Sequence, residues 1–227
     1  MRNIMFTAYF SNLEEFADLP DYNAIMELLM IINIQDKLNR EKKMTKVMFC
    51  LITDRDNDNI ENFIKNYYNK KVWQGLINLD VAAKNINWND LTDKEKKEFL
   101  IEKWKVLFNN LSDDYFVVDK SEVIRSLEEL KYSEWNIIST LFKKKLKYNK
   151  ELYEIVLDIS PKRAELAMIS ESDKKKISLK EYQTRKIVFD LNFKNFKLIN
   201  EGTLILENKL IFLPPEIFDL KEIIINQ

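Results

Sequence analysis

The densest set of side chains able to hold a cation is Thr53-Asp54-Arg55-Asp56-Asn57-Asp58, directly after the apolar run Val47-Met48-Phe49-Cys50-Leu51-Ile52. Three carboxylates at alternate positions offer hard oxygen donors to a divalent ion. As a calcium loop opening at Asp54, the segment places Asn59 at the sixth position, where a glycine makes the turn. It places Lys65 at the twelfth, where a glutamate closes the shell. The same residues suit a polar strand-to-helix connection in which Asp58 or Asn59 caps a helix over 60–68. They also suit electrostatics: Asp54, Asp56, Asp58 and Glu61, with Glu14, Glu15, Asp18 and Asp21, gather acid into the first half of the chain. Such a patch steers a basic partner into contact.

A strand followed by Asp-x-Asp is similar to the metal-binding motif of nucleotide-sugar glycosyltransferases and to the nucleophile motif of haloacid-dehalogenase-type phosphatases. The chain departs from both. Asp58 stands where the phosphatase motif has Thr or Val, and no strand-rich nucleotide domain precedes the acids. Pro20-Asp21 and Glu41-Lys42-Lys43 spell a metal-dependent nuclease pattern, whose acids must converge on one ion. Asp21 opens a helix and Glu41 lies beyond its far end, about 30 Å away at the helical rise.

Other chemistries lack their residues. The chain has 0 His, 1 Cys and 2 Gly. Without imidazole there is no Ser-His-Asp or Cys-His nucleophile system. Cys50 makes no internal disulfide and reads as a small buried hydrophobe. Gly75 and Gly202 stand too far apart for a phosphate-cradling loop. No cofactor or resident metal is therefore expected. Lys plus Arg is 36 and Asp plus Glu is 37, net −1, which opposes a strong nucleic-acid face. Lys143 to Lys147 and Lys174 to Lys176 read as solvated basic faces, the first on a helix. No signal peptide and no membrane span are read, so a cytoplasmic location is expected. The abundance of Lys, Ile and Asn, with their A/T-rich codons, suggests a low-GC bacterium or a mobile element within one.

The elements that position these residues come from periodicity. Strands are predicted over 4–10, 47–53 and 72–82, the second in the middle of a sheet because its apolar run is continuous. Pro20-Asp21 opens a helix apolar nearly all round, at Ile25, Met26, Leu28, Leu29, Met30, Ile31 and Ile32. Thr92-Asp93-Lys94-Glu95 is a capping box that starts a helix running to about Asn110. Further helices are predicted over 121–130 and 134–146, the latter from the spacing of Trp135, Ile138, Leu141 and Phe142. Strands follow over 152–159 and 164–169, joined by a turn at Ser160-Pro161-Lys162-Arg163, and over 187–198, with a bulge near Lys194-Asn195. Turns at Glu201-Gly202 and Asn208-Lys209 join three C-terminal strands, the last ending at Pro214-Pro215. The fold class is α+β: a mixed, largely antiparallel sheet, several packed helices and a strand-rich C-terminal third. One domain is expected over 1–227, divisible at most into 1–150 and a β-rich 151–227. Trp88, between polar neighbours, is the tryptophan expected to stay partly exposed, while packing against the first turn of the capped helix.

The segment from Lys71-Val72-Trp73-Gln74-Gly75-Leu76 to Trp88-Asn89-Asp90-Leu91-Thr92-Asp93-Lys94-Glu95-Lys96-Lys97-Glu98-Phe99-Leu100 resembles immunity proteins of bacterial polymorphic toxin systems. The resemblance covers about thirty residues and implies a non-enzymatic, cytoplasmic inhibitor of a cognate toxin. It carries over no catalytic residue. On this reading Asp54, Asp56, Asp58, Glu61 and Trp88 form the partner-binding set, and the partner is a protein rather than a nucleic acid or a membrane. The alternatives are a metal-dependent enzyme acting on a phosphate-bearing substrate through Asp54, Asp56 and Asp58, and a phage or host regulator that binds a defence protein.

Overall fold

The computed structural model describes residues 4–10, 16–52, 76–82, 86–184, 193–200, 202–210 and 212–225. The fold is α+β. The chain forms two compact units, Met1–Trp135 and Asn136–Gln227.

The first unit is built on a three-stranded parallel sheet, β1 (Met5–Phe10), β2 (Lys46–Ile52) and β3 (Leu76–Ala82), with β2 in the centre. Parallel pairing needs a crossover between strands. Helix α1 (Leu19–Asn33) supplies the first, with Pro20 in its opening turn, where a missing N–H costs nothing. Register aligns Phe6 with Val47 and Val47 with Ile77, and all three side chains are buried. Helix α2 (Asp93–Asn110) lays Trp104 against this layer, with ring centres 5.0 Å from Phe49 and 6.0 Å from both Phe6 and Phe108. The predicted capping box is present in full. Thr92 Oγ1 accepts from the Glu95 amide and the Glu95 carboxylate accepts from the Thr92 amide. Helix α3 (Lys120–Leu130), capped by Asp119, buries Val123, Leu127 and Leu130.

Helices α2 and α3 are also clamped by charge. Glu102 and Lys105 of α2, Glu128 of α3 and Lys131 at the C-cap of α3 alternate in sign, each contacting both opposite charges. A ring of this kind costs less side-chain entropy per contact than isolated surface pairs do. Among the described residues, no helix is long and apolar enough to cross a membrane.

The second unit is antiparallel. β4 (Ile137–Thr140), β6 (Glu151–Ile159), β7 (Ala164–Ser170) and β8 (Lys176–Tyr182) lie in that order, and β5 (Leu146–Tyr148) pairs with β6 as well. A second sheet has the order β11 (Glu216–Asp219), β10 (Thr203–Asn208), β9 (Phe193–Ile199), and α4 (Leu220–Ile225) follows it. Asn149 and Lys150, both at positive φ, make the two-residue turn from β5 to β6 that matches strand twist. Ser160 to Arg163 closes the next turn through a 2.8 Å bond from the Ser160 amide to the Arg163 carbonyl. The bulge expected near Lys194-Asn195 is there: Glu207 faces Asn195 while Asn208 faces Phe193, which leaves Lys194 without a partner in the ladder.

Two expectations are corrected and one element is new. Residues 134–146 form no helix but strands β4 and β5 around a short break. The helical spacing of Trp135, Ile138, Leu141 and Phe142 is coincidental; β-branched Ile137, Ile138 and Thr140 prefer the extended state, and β6 offers them a ladder. The third C-terminal strand starts after Pro214-Pro215 rather than ending there, since two residues without N–H groups serve a connection better than a ladder. Strand β8 was not foreseen, because its lysines and glutamate blur the alternation.

Candidate functional site

Of the residues expected to meet a partner, Asp54, Asp56, Asp58 and Glu61 lie outside the described residues. Trp88 lies within them, and its expected exposure is corrected: it is 0% exposed. Its own neighbours explain why. A short 3-10 turn over Trp88–Asp90 leads into the Thr92 cap and turns the indole inward. There it meets the start of α1, with ring centres 5.7 Å from Tyr22, 6.0 Å from Phe16 and 5.8 Å from Phe99.

The polar atoms of this cluster are tied to one another. Asp18, just before α1, accepts from the Trp88 indole N–H on one oxygen and pairs with Lys96 Nζ at 2.7 Å on the other. The Lys96 ammonium lies 5.4 Å from the Trp88 ring centre and 5.6 Å from that of Tyr22, a cation held between two aromatic rings. Tyr22 Oη donates to Asp93 Oδ1 at 2.7 Å, and Asp93 pairs with Lys97 at 2.9 Å. Burial pushes the Tyr22 hydroxyl well above its ordinary range, and its bond to Asp93 and the charges of Asp93 and Asp18 push it further. A phenol so held does not ionise near neutrality. The cluster bolts the N-terminus of α1 to that of α2, and each of its acids is held by a lysine and by an indole or phenol donor.

Helix α1 contributes a second set. Among the described residues β1 is an edge strand, and its Met5 amide donates to Thr45 on the β2 side, so the amides of Ile4, Phe6 and Ala8 point outward. Side chains from α1 and the turn after it meet all three. Gln35 Oε1 accepts from Ile4 at 2.7 Å, Asn23 Oδ1 accepts from Ala8 at 2.6 Å, and the Glu27 carboxylate accepts from Phe6. Three polar side chains thus take the place of a fourth strand.

Glu27 is 8% exposed, and its Oε2 has no hydrogen-bond partner among the described residues. Burial pushes its carboxyl up to about 7, against the opposing pulls of the Phe6 amide and Lys46. The folded state therefore holds a proton that the unfolded chain releases near pH 4.5. Stability falls as pH rises through that window, and the full penalty is present above it. Glu27→Gln keeps an acceptor for Phe6 and removes the charge. Allowing for partial solvation, it is expected to stabilise the protein by about 1–2 kcal/mol at pH 8 and by close to nothing at pH 5. Urea unfolding at the two pH values checks this; an offset independent of pH would mean that Glu27 is ionised in the fold throughout.

The third set lies on one face of the second unit. Asp158 of β6 and Glu165 of β7 stand directly opposite each other, and Lys176 of β8 reaches both carboxylates. Arg163 approaches Glu165 at 3.5 Å and Glu181 at 3.7 Å. Burial pushes the Glu165 carboxyl up, but Lys176, Ser178 and Arg163 outweigh it and hold the group below its ordinary range. Lys176, expected in a solvated basic run, is instead the counter-ion of two acids.

Among the described residues, no three acids or thiols are placed to hold a metal ion. Asp21 lies in the first turn of α1 and Glu41 in a separate turn beyond its far end, so the nuclease pattern does not converge. Asn23, Glu27 and Gln35 escaped the sequence reading; their one signal is a polar stripe along a helix apolar nearly everywhere else. Comparison of the chain with protein-family models, with characterised proteins and with solved structures finds no significant match.

Proposed function

We propose that the protein is a non-enzymatic, cytoplasmic binding protein of the immunity type, which neutralises a cognate bacterial toxin by protein–protein contact. The observation that supports this reading most is the distribution of apolar side chains on the second unit. On the outer face of the β9–β10–β11 sheet, Ile217, 62% exposed, stands directly opposite Ile205, and Ile199 is exposed on the same face. The Lys197–Glu207 pair borders them at 2.5 Å, and Phe212 in the connection to β11 is 80% exposed. Apolar groups gathered within a polar border are the usual composition of a recognition surface. Tyr22, Glu27 and Glu165, whose titration burial and pairing displace, are by contrast occupied in joining one element to another.

A tagged pull-down from the host, followed by mass spectrometry, tests the reading. The expected result is one stoichiometric partner that survives moderate salt and whose toxicity the protein abolishes, with Ile217→Asp weakening capture. Failure to retain any partner, or a catalytic turnover lost in Asp54→Ala, would sink it and return the question to Asp54, Asp56 and Asp58.

A further inference from the structure

We propose that the outer edge of β4 accepts an extended, acid-bearing segment of a partner protein as an added antiparallel strand. The proposal rests on the binding reading above for the existence of a partner, and adds a second contact, distinct from the Ile217 face, through which that partner docks. β4 pairs with β6 from Ile137 opposite Ile159 to Thr140 opposite Val156, and among the described residues no strand pairs with its other side. The ladder fixes which groups are free. Leu141 donates to the Ile155 carbonyl at 2.9 Å, so residues 137, 139 and 141 bond toward β6. The N–H and C=O groups of Ile138 and Thr140 therefore point away from it.

Natural sheets blunt such edges with charge, proline or a cover. The strand Ile137-Ile138-Ser139-Thr140 carries no charge and no proline, and its last three residues are exposed. The first unit shows the opposite treatment, with each outward amide of β1 met by Gln35, Glu27 or Asn23. One edge is closed by side chains and the other is left open, with Ile138 57% exposed as an apolar neighbour for an incoming residue.

Charge selects the occupant. Just past β4, Lys143 and Lys144 are exposed, and among the described residues neither joins an ion pair. Lys144 only overlies the Phe196 ring, 5.6 Å from its centre. An antiparallel segment brings its N-terminal end to these lysines, so acids belong there. A second copy of the chain fits less well: a four-residue edge falls short of the roughly 800 Å² per partner that a stable dimer buries.

The test uses the full-length protein and two labelled peptides, acetyl-Glu-Glu-Val-Thr-Val-Thr amide and the same peptide with Lys-Lys in front. The acidic peptide is expected to bind about ten-fold more tightly, and to slow hydrogen exchange at the Ile138 and Thr140 amides. Thr140→Pro removes an outward N–H without touching the bonds to β6, and is expected to weaken binding by about ten-fold or more. Thr140→Val, which keeps the N–H, is expected to bind like the parent. No binding, equal binding of the two peptides, protection elsewhere, or an unaffected Thr140→Pro variant overturns the proposal. Protection of the same amides that rises with protein concentration alone assigns the edge to a second copy and overturns it too. The two readings fail separately: a partner captured equally by the parent and by Thr140→Pro removes the strand-addition proposal only, whereas no captured partner removes the binding reading.

Discussion

Trp88→Ala is expected to destabilise the first unit by about 3–5 kcal/mol, the range for deleting a fully buried aromatic side chain. The indole is enclosed by Tyr22, Phe16 and Phe99, and its N–H is bonded to Asp18. Removing it leaves a cavity, strips one aromatic wall from the Lys96 ammonium and frees an Asp18 oxygen. Trp88→Phe keeps a ring in the cavity and loses the donor, so a smaller loss, about 1–2 kcal/mol, is expected. Urea unfolding followed by circular dichroism measures both, and hydrogen exchange at amides of α1 and α2 assigns the loss to this unit. A surface hot spot behaves differently: its truncation leaves stability within about 0.5 kcal/mol and lowers affinity alone. That outcome for Trp88→Ala would overturn the buried placement.

Trp88 also shows why the sequence misleads at that point. Its neighbours Asn87, Asn89 and Asp90 are polar, and polarity along the chain suggests exposure. In a tight turn, successive side chains point in different directions, so the exposed Asn89 and Asp90 coexist with a buried indole. The residues that bury it, Phe16 and Tyr22, lie some seventy positions earlier, and local pattern carries no information about them. Where both halves of an interaction are local, the reading succeeds. Thr92 and Glu95 specify their capping box within four residues, and the one-place slip between Phe193 and Phe196 specifies the bulge at Lys194.

The same distinction governs the candidate sites. Asn23, Glu27 and Gln35 are bonded to backbone amides of β1, groups that every residue possesses and no sequence pattern marks. The open edge of β4 is defined by the absence of a neighbour, and the helical spacing of Ile138, Leu141 and Phe142 concealed the strand itself. Lys176 sits in a run of three lysines, of which Lys174 and Lys175 are exposed as that composition suggests. It differs because β8 brings it across a sheet to acids on two other strands.

Lys176→Met is expected to cost about 2–4 kcal/mol at pH 7, the scale for breaking a largely buried ion pair, reduced for the partial exposure of the lysine and for the remaining Arg163 contact. Asp158 and Glu165 then face each other across β6 and β7 with no ammonium between them. The pH dependence identifies the cause. In the parent, the depressed Glu165 carboxyl contributes stability above its unfolded value near 4.5, which is lost as pH falls through the folded value. In the variant that contribution is absent and one acid takes up a proton more readily, so the deficit shrinks as pH falls toward 4. Adding Glu165→Gln removes the repulsion directly, and the double variant is expected to recover most of the loss at pH 7, a coupling read from the double-mutant cycle. Urea titrations at pH 7 and pH 4.5 measure each quantity. A deficit equal at both pH values and additive with Glu165→Gln would mean that the aliphatic stem of Lys176, not its charge, supports the sheet.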